Sequence, residues 1–235
     1  MLARMCNRYV APARNVAEQH WQLTAGADAQ RWAPEIFPRA LGPFIRAEEG
    51  TRRLVVGQWG LVPNFADSPK LRYQTNNARS EEVSKKASYR LAWARGQRCV
   101  IPAWSFDEPC WETGRNVWWR FRRADGTPWG LAGLWNTWID RRTGEVVESY
   151  TMLTINADAH PLMRRMHKPD PTLGPGQQDK RSVVAVELAD VEQWLLGDLR
   201  DASALLCAPA VELCDAEPAS DTPGTLHLMP LDREP

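Results

Sequence analysis

The chain has 235 residues, enough for one well-buried domain or at most two small ones, with 43% hydrophobic and 25% charged residues. A net charge of zero gives no whole-chain electrostatic reason to expect a nucleic-acid partner, although residues 201–235 hold seven acids and one Arg and leave the rest of the chain basic. Five cysteines without a CxxC pair exclude a zinc site of usual spacing and a disulfide framework, and no run approaches the ~20 apolar residues that a membrane-spanning helix needs.

In chain order, the first 17 residues are rich in Arg and Ala with no acid before Glu18. They lack the serine of a transit peptide, and reading them as one would discard Cys6. Residues 12–24 fit a short helix with Val16, His20 or Trp21, and Leu23 on one side. A segment with Pro34, Pro38 and Pro43 should be extended or looped. Arg53–Trp59 reads as a strand, broken by Gly60 to Pro63. Residues 80–95 read as a helix, with Ser80 as N-cap and Glu81 and Glu82 in the first turn, where the helix dipole favours acids.

Four strands follow, over Arg98–Ala103, Val117–Phe121, Trp129–Trp135 and Ser149–Ile155. Asp125-Gly126, between the second and third, carries a hairpin-turn signal. Residues 156–163 read as a loop into a short helix, and Pro169–Gln178 as a Pro- and Gly-rich loop. Ser182–Leu188 is the last strand, and 189–206 is helical. Strands outnumber long helices and no βαβ rhythm is visible. This predicts a single α+β domain with an antiparallel or mixed, open-barrel-like sheet core and short flanking helices. Twelve tryptophans supply much of that core.

Four clusters carry reactive or ligand-binding side chains. The first is Cys6-Asn7-Arg8, preceded by Met5. If the mature chain begins at Cys6, a free α-amine and a thiol sit on adjacent carbons and can close a thiazolidine on an aldehyde. A cysteine inside a chain cannot do this. The second is Asn76-Asn77-Ala78-Arg79-Ser80-Glu81, placed before an expected helix start where an anion could bind. The third is Ser105-Phe106-Asp107-Glu108, with carboxylates at a strand end. The fourth is Met163-Arg164-Arg165-Met166-His167-Lys168, one histidine among three cations. Taken singly, each also has a structural reading: a small hydrophobe, a turn, a solvated carboxylate, a surface histidine.

Taken in order, these segments resemble the SRAP family (SOS response-associated peptidase fold), whose members capture abasic sites in single-stranded DNA covalently. Met5-Cys6-Asn7-Arg8 is similar to its Met-Cys-Gly-Arg start, and Trp59-Gly60-Leu61-Val62-Pro63 to its Trp-Gly-Leu-Ile-Pro. Asn77-Ala78-Arg79-Ser80-Glu81, Arg98-Cys99-Val100-Ile101-Pro102-Ala103 and Leu131-Ala132-Gly133-Leu134-Trp135 match three further motifs. His167 takes the place of the family histidine. The chain departs from the family at Asn7 for Gly, at Phe65 for Trp and at Pro109 for Trp. A Pro-rich loop also displaces Arg181-Ser182-Val183 from His167.

The resemblance implies a catalytic set of Cys6, Asn77, Glu108 and His167, with Cys6 as the cross-linking nucleophile. It implies DNA contacts through Arg8 and Arg79, with Trp59 and Phe65 as stacking aromatics and Arg164 and Arg165 as further phosphate ligands. The expected partner is single-stranded DNA containing abasic sites; neither metal nor cofactor is expected, and the protein should be a monomer. A cytoplasmic placement, nucleoid-associated when DNA is damaged, goes with this, as does a weak lyase side activity. Residues 1–5 are expected to be a non-mature extension of a domain spanning 6–235. Two alternatives stand beside this reading: a cysteine peptidase or amidase, which could act only on its own N-terminus, and a non-covalent single-stranded DNA binding module.

Overall fold

The computed structural model describes residues 6–23, 31–174 and 176–219; the expected extension 1–5 and the end of the C-terminal segment lie outside them. Twelve strands are formed among the described residues. They are β1 (Tyr9–Val10), β2 (Glu35–Ile36), β3 (Leu41–Glu48), β4 (Thr51–Trp59), β5 (Asn77–Arg79) and β6 (Arg98–Ala103), then β7 (Ser105–Cys110), β8 (Val117–Arg123), β9 (Trp129–Ile139), β10 (Val146–Asn156), β11 (Arg181–Val183) and β12 (Cys214–Pro218). The α-helices are short: α1 (Arg14–His20), α2 (Arg90–Ala94), α3 (Val191–Leu196) and α4 (Leu199–Ala204).

The architecture is the α+β domain that the strand-rich pattern predicts, and its barrel is closed. The ladder runs β10-β4-β3-β6-β9 and returns from β9 to β10. All of these pairings are antiparallel except β10 with β4. Closure explains the side-chain alternation. Cys99, Ile101, Leu131 and Met152 point into one apolar cluster, whereas their neighbours Val100, Ala132 and Leu153 join a second cluster with the helices. The barrel is tight at Gly133, where an added Cβ would lie 2.6 Å from the Thr151 carbonyl oxygen and 2.8 Å from Cys99 Sγ. Only glycine leaves that space.

A second, antiparallel sheet has the order β12-β8-β7-β1-β2. It stacks Phe106 on Phe121 at 5.1 Å and packs Phe106 against Trp129 of the barrel. β5 adds to β10 in parallel beyond the end of β4, and β11 adds antiparallel beyond the end of β9. These two short strands and the β1–β7 pairing carry the side chains considered below.

Several sequence expectations need correction. Residues 81–89 are turns, and only Arg90–Ala94 is helical. Ser80 continues the sheet, its N–H donating to the Thr154 carbonyl at 2.8 Å, and Glu81 pairs with Arg181 instead of capping a helix. Asp125-Gly126 is a turn, with Gly126 at φ +73, but β8 and β9 belong to different sheets, so it closes no hairpin. The helix expected over 189–206 breaks at Gly197-Asp198, where Asp198 caps α4 in a capping box with Asp201. The strand expected over Ser182–Leu188 is only Arg181–Val183, although Val184 and Val186 still bond to barrel carbonyls, and it is not the last, since β12 follows it and pairs with β8.

Candidate active site

Asn77 bonds to the Cys6 backbone, the charge of Glu108 acts on the Cys6 thiol, and His167 joins through Glu108. The Cys6 side chain is fully buried, and its Sγ donates weakly to the Arg8 carbonyl at 3.5 Å. Burial, then the charge of Glu108, pushes the Cys6 thiol well above the ordinary cysteine range. Asn77, on β5, donates from Nδ2 to the Cys6 carbonyl at 2.7 Å. Its Oδ1 is buried and makes no hydrogen bond to the described residues. Asn77 is itself fixed by the ladder to Met152 and by the Tyr89 hydroxyl, which donates to its carbonyl at 3.1 Å. Next to it, Asn76 Nδ2 donates to Asn7 Oδ1 at 3.1 Å, so the residue that replaces the family glycine has its own partner.

Glu108 and His167 form the opposite side. β1 pairs with β7 through Tyr9 and Phe106, which places Glu108 near the N-terminal segment. Glu108 is 1% exposed and sits in a strand, not in the solvated loop that its local sequence also allowed. His167 Nε2 and Glu108 Oε2 are 3.0 Å apart, and His167 is 3% exposed. His167 Nδ1 is buried and bonds to none of the described residues.

The segment before His167 is set by His160. Its Nδ1 accepts from the N–H groups of Leu162 and Met163, so its Nε2 carries the proton and donates to the Pro209 carbonyl at 2.9 Å. These bonds hold the chain at the start of the 3₁₀ turn Met163–Arg165. Lys180 is a residue that the sequence pattern did not single out; it donates from Nζ to the Met166 and His167 carbonyls at 2.7 and 2.6 Å.

The basic side chains expected at DNA are mostly paired with acids. Arg8 reaches Glu35 at 2.7 Å and Asp107 at 3.4 Å. Asp107 is buried and is also held by Arg120, its cross-strand partner, at 3.0 and 3.2 Å. Arg79 pairs with Asp179. Arg165 is bidentate to Glu112 at 2.8 and 2.7 Å and lies over the Trp119 ring at 4.8 Å. Arg164 is exposed and makes no ion pair among the described residues. Phe65 is 60% exposed and open to stacking.

Trp59 is different. It is fully buried, edge-on to Tyr9 at 5.1 Å, and its Nε1 donates to the Asn76 carbonyl at 2.8 Å. It has no open face for a base and acts instead as a brace under Asn76. A cleft of about 200 Å³ lies beside Asn76, lined also by Arg39, Gln58, Tyr73 and Gln74. Among the described residues no three His, Cys, Asp or Glu side chains group to hold a metal ion, and no helix is long and apolar enough to cross a membrane.

A barrel with an N-terminal cysteine segment, an Asn on an added strand and a Glu–His pair defines a recognisable class. The profile of the SOS response associated peptidase (SRAP) family matches residues 5–221, and the chain belongs to that family. Among its relatives, "Abasic site processing protein HMCES" of Xenopus tropicalis is 27% identical over 193 residues, covering 68% of this chain and 56% of that protein. "Abasic site processing protein YoqW" of Bacillus subtilis (strain 168) is 31% identical over 126 residues, covering 52% of this chain and 54% of that protein. The chain thus spans about half the length of these curated relatives. A crystal structure of a Bordetella bronchiseptica protein superposes with a TM-score of 0.79 at 33% identity, covering 92% of this chain and 100% of that one. A Bacteroides thetaiotaomicron protein superposes with a TM-score of 0.75 at 20% identity, covering 92% and 93%, a likeness of fold.

Proposed function

We propose that this protein captures abasic sites in single-stranded DNA by forming a thiazolidine at Cys6, once residues 1–5 are absent and the Cys6 α-amine is free. The observation that carries the reading is the convergence of Asn77 and Glu108 on Cys6, with His167 bonded to Glu108. The names of the relatives supply the substrate, an abasic site.

In this mechanism the α-amine, whose reference pKa is about 7.7–8.0, attacks the C1′ aldehyde of the ring-opened sugar. The carbinolamine loses water to a Schiff base, and the thiol adds to the imine carbon. The product holds every atom of both reactants less one water. Asn77 anchors the Cys6 carbonyl, and its unused Oδ1 is an acceptor suited to an amine N–H. Glu108 moves protons between carbinolamine, amine and thiol. His167 protonates the sugar ring oxygen to favour opening, through the Nδ1 that is left unpartnered. Ring closure by the thiol also diverts the Schiff base from β-elimination, so strand cleavage is a minor side reaction.

A phosphate contact comes from Arg164, and Phe65 stacks on a flanking base. Arg8, Arg79 and Arg165 contact DNA by exchanging an acidic partner for phosphate. A peptidase mechanism is less well served: the Cys6 thiol turns to a backbone carbonyl, and His167 Nε2 is engaged by Glu108 and not by sulfur.

The test is incubation of protein beginning at Cys6 with an abasic single-stranded oligonucleotide, followed by a denaturing gel. A shifted band that is lost in Cys6→Ala is expected. Binding without any denaturation-resistant band would leave a plain DNA-binding module; turnover of a peptide without DNA would favour the peptidase.

A further inference from the structure

Between His167 and β11, Asp170 to Gly174 are tied to Gln178. Gln178 Nε2 donates to the carbonyls of Asp170, Leu173 and Gly174, and its Oε1 accepts from the Asp170 N–H. The two ends of this segment are then joined by one side chain. Lys180 is 7% exposed, and its ammonium donates to the carbonyls of Met166 and His167, the peptide groups that flank His167.

His167 needs such support. Its φ is +62, in the left-handed region that a residue with a side chain seldom adopts. Three hydrogen bonds hold it there: its N–H donates to the Pro109 carbonyl at 2.6 Å, its own carbonyl accepts from Lys180, and its ring meets Glu108. Lys180 in turn is placed by its backbone N–H, which donates to Asp158 Oδ1 at 2.9 Å. Burial of the ammonium disfavours its charge, and that cost is offset by two charge-assisted bonds that both converge on one histidine.

We propose that Lys180 is a positioning residue that holds His167 in its left-handed conformation and so aims the imidazole at Glu108 and at the sugar. The part of this that concerns the sugar rests on the abasic-site reading; the part that concerns the His167–Glu108 contact does not. Only ring opening needs the imidazole at the sugar, so the effect of Lys180 is larger on substrates that must open than on those that need only Glu108. A displacement of about 1 Å at such a group costs up to about 10²-fold in rate.

The experiment compares wild type, Lys180→Met and Lys180→Gln, all beginning at Cys6, with two oligonucleotides. One carries an ordinary abasic site and the other a residue with an acyclic aldehyde. K180M should slow adduct formation on the abasic site by at least about tenfold while changing the acyclic substrate less than about threefold, with K180Q intermediate because its amide still donates. Equal slowing on both substrates, or none on either, overturns the proposal. If K180M does not fold, K180Q is read by the same criterion. If wild type gives no adduct with either oligonucleotide, the abasic-site reading falls, and the ring signals of His167 in an NMR spectrum decide the Lys180 claim: altered in the variants if it holds, unchanged if it does not.

Discussion

Replacing Glu108 by Gln keeps the side-chain volume and removes a charge from a position that is 1% exposed. Two effects of opposite sign follow. The carboxylate is, after burial, the main influence that holds the Cys6 thiol proton, so the variant ionises Cys6 more readily. It also loses the proton carrier, and positioned proton transfer is worth about 10²–10⁴-fold in rate, or about 2.7–5.4 kcal/mol. The structural cost is smaller. A hydrogen bond involving a charged group contributes about 1.5–3 kcal/mol, and the Gln amide retains part of the 3.0 Å contact with His167. Stability should therefore fall by about 1–2 kcal/mol. Adduct formation followed on denaturing gels should slow by about 10²-fold or more, while alkylation of Cys6 by iodoacetamide at neutral pH becomes faster. An adduct rate that matches or exceeds wild type would refute proton transfer by Glu108 and make thiol ionisation limiting.

Other outcomes follow from the same structure. Phe65→Ala should weaken binding of undamaged single-stranded DNA by about 1–3 kcal/mol in a fluorescence titration with little change in melting temperature, whereas Trp59→Phe should lower the melting temperature, because that ring is buried and its Nε1 serves Asn76. Asp179→Asn releases Arg79 from its carboxylate; DNA binding should tighten at low salt and show a steeper salt dependence, and unchanged affinity would remove Arg79 from the interface. The third outcome concerns pH. Burial raises the pKa of Cys6, Cys99, Tyr9, Tyr89 and Tyr150 and pushes Cys214 up to about 11. The folded chain holds these protons while the unfolded chain releases them, so stability is complete below the unfolded cysteine value of about 8.5 and is lost as pH rises through the cysteine and tyrosine range. Calorimetry between neutral and strongly alkaline pH should show a falling midpoint; a flat profile would contradict the burial of these groups.

What the sequence revealed and what it hid have physical causes. Arg98–Ala103 is legible to the residue because it is buried along its whole length and is followed at once by a new strand. β3 is not, because Gly42 and Pro43 break its pattern. The structure accepts both: Gly42 leaves room for the Tyr9 and Tyr150 hydroxyls, and at Pro43 only β4 runs alongside, since β6 first pairs at Ile45. The missing helix turns after Ser80 depend on Arg181, 100 positions away from Glu81, a partner that no local pattern announces. The same holds at the site. Motif order singles out Cys6, Asn77, Glu108 and His167, but the acids that occupy Arg8, Arg79 and Arg165 come from distant strands and loops. Lys180 lies in an ordinary charged run, and only the fold turns its amine inward. The Asp107–Arg120 pair was within reach of a reading that recognised the β7–β8 hairpin around Gly114.

The central claim is that the α-amine and the thiol of Cys6 act together on an aldehyde. Intact-mass measurement of the adduct between abasic single-stranded DNA and protein beginning at Cys6 tests it most directly. The account predicts a product lighter than the sum of its parts by one water, absent both from Cys6→Ala and from a form that retains residues 1–5. An adduct of the same mass from the form with a blocked amine, or none from the form with a free one, would contradict it.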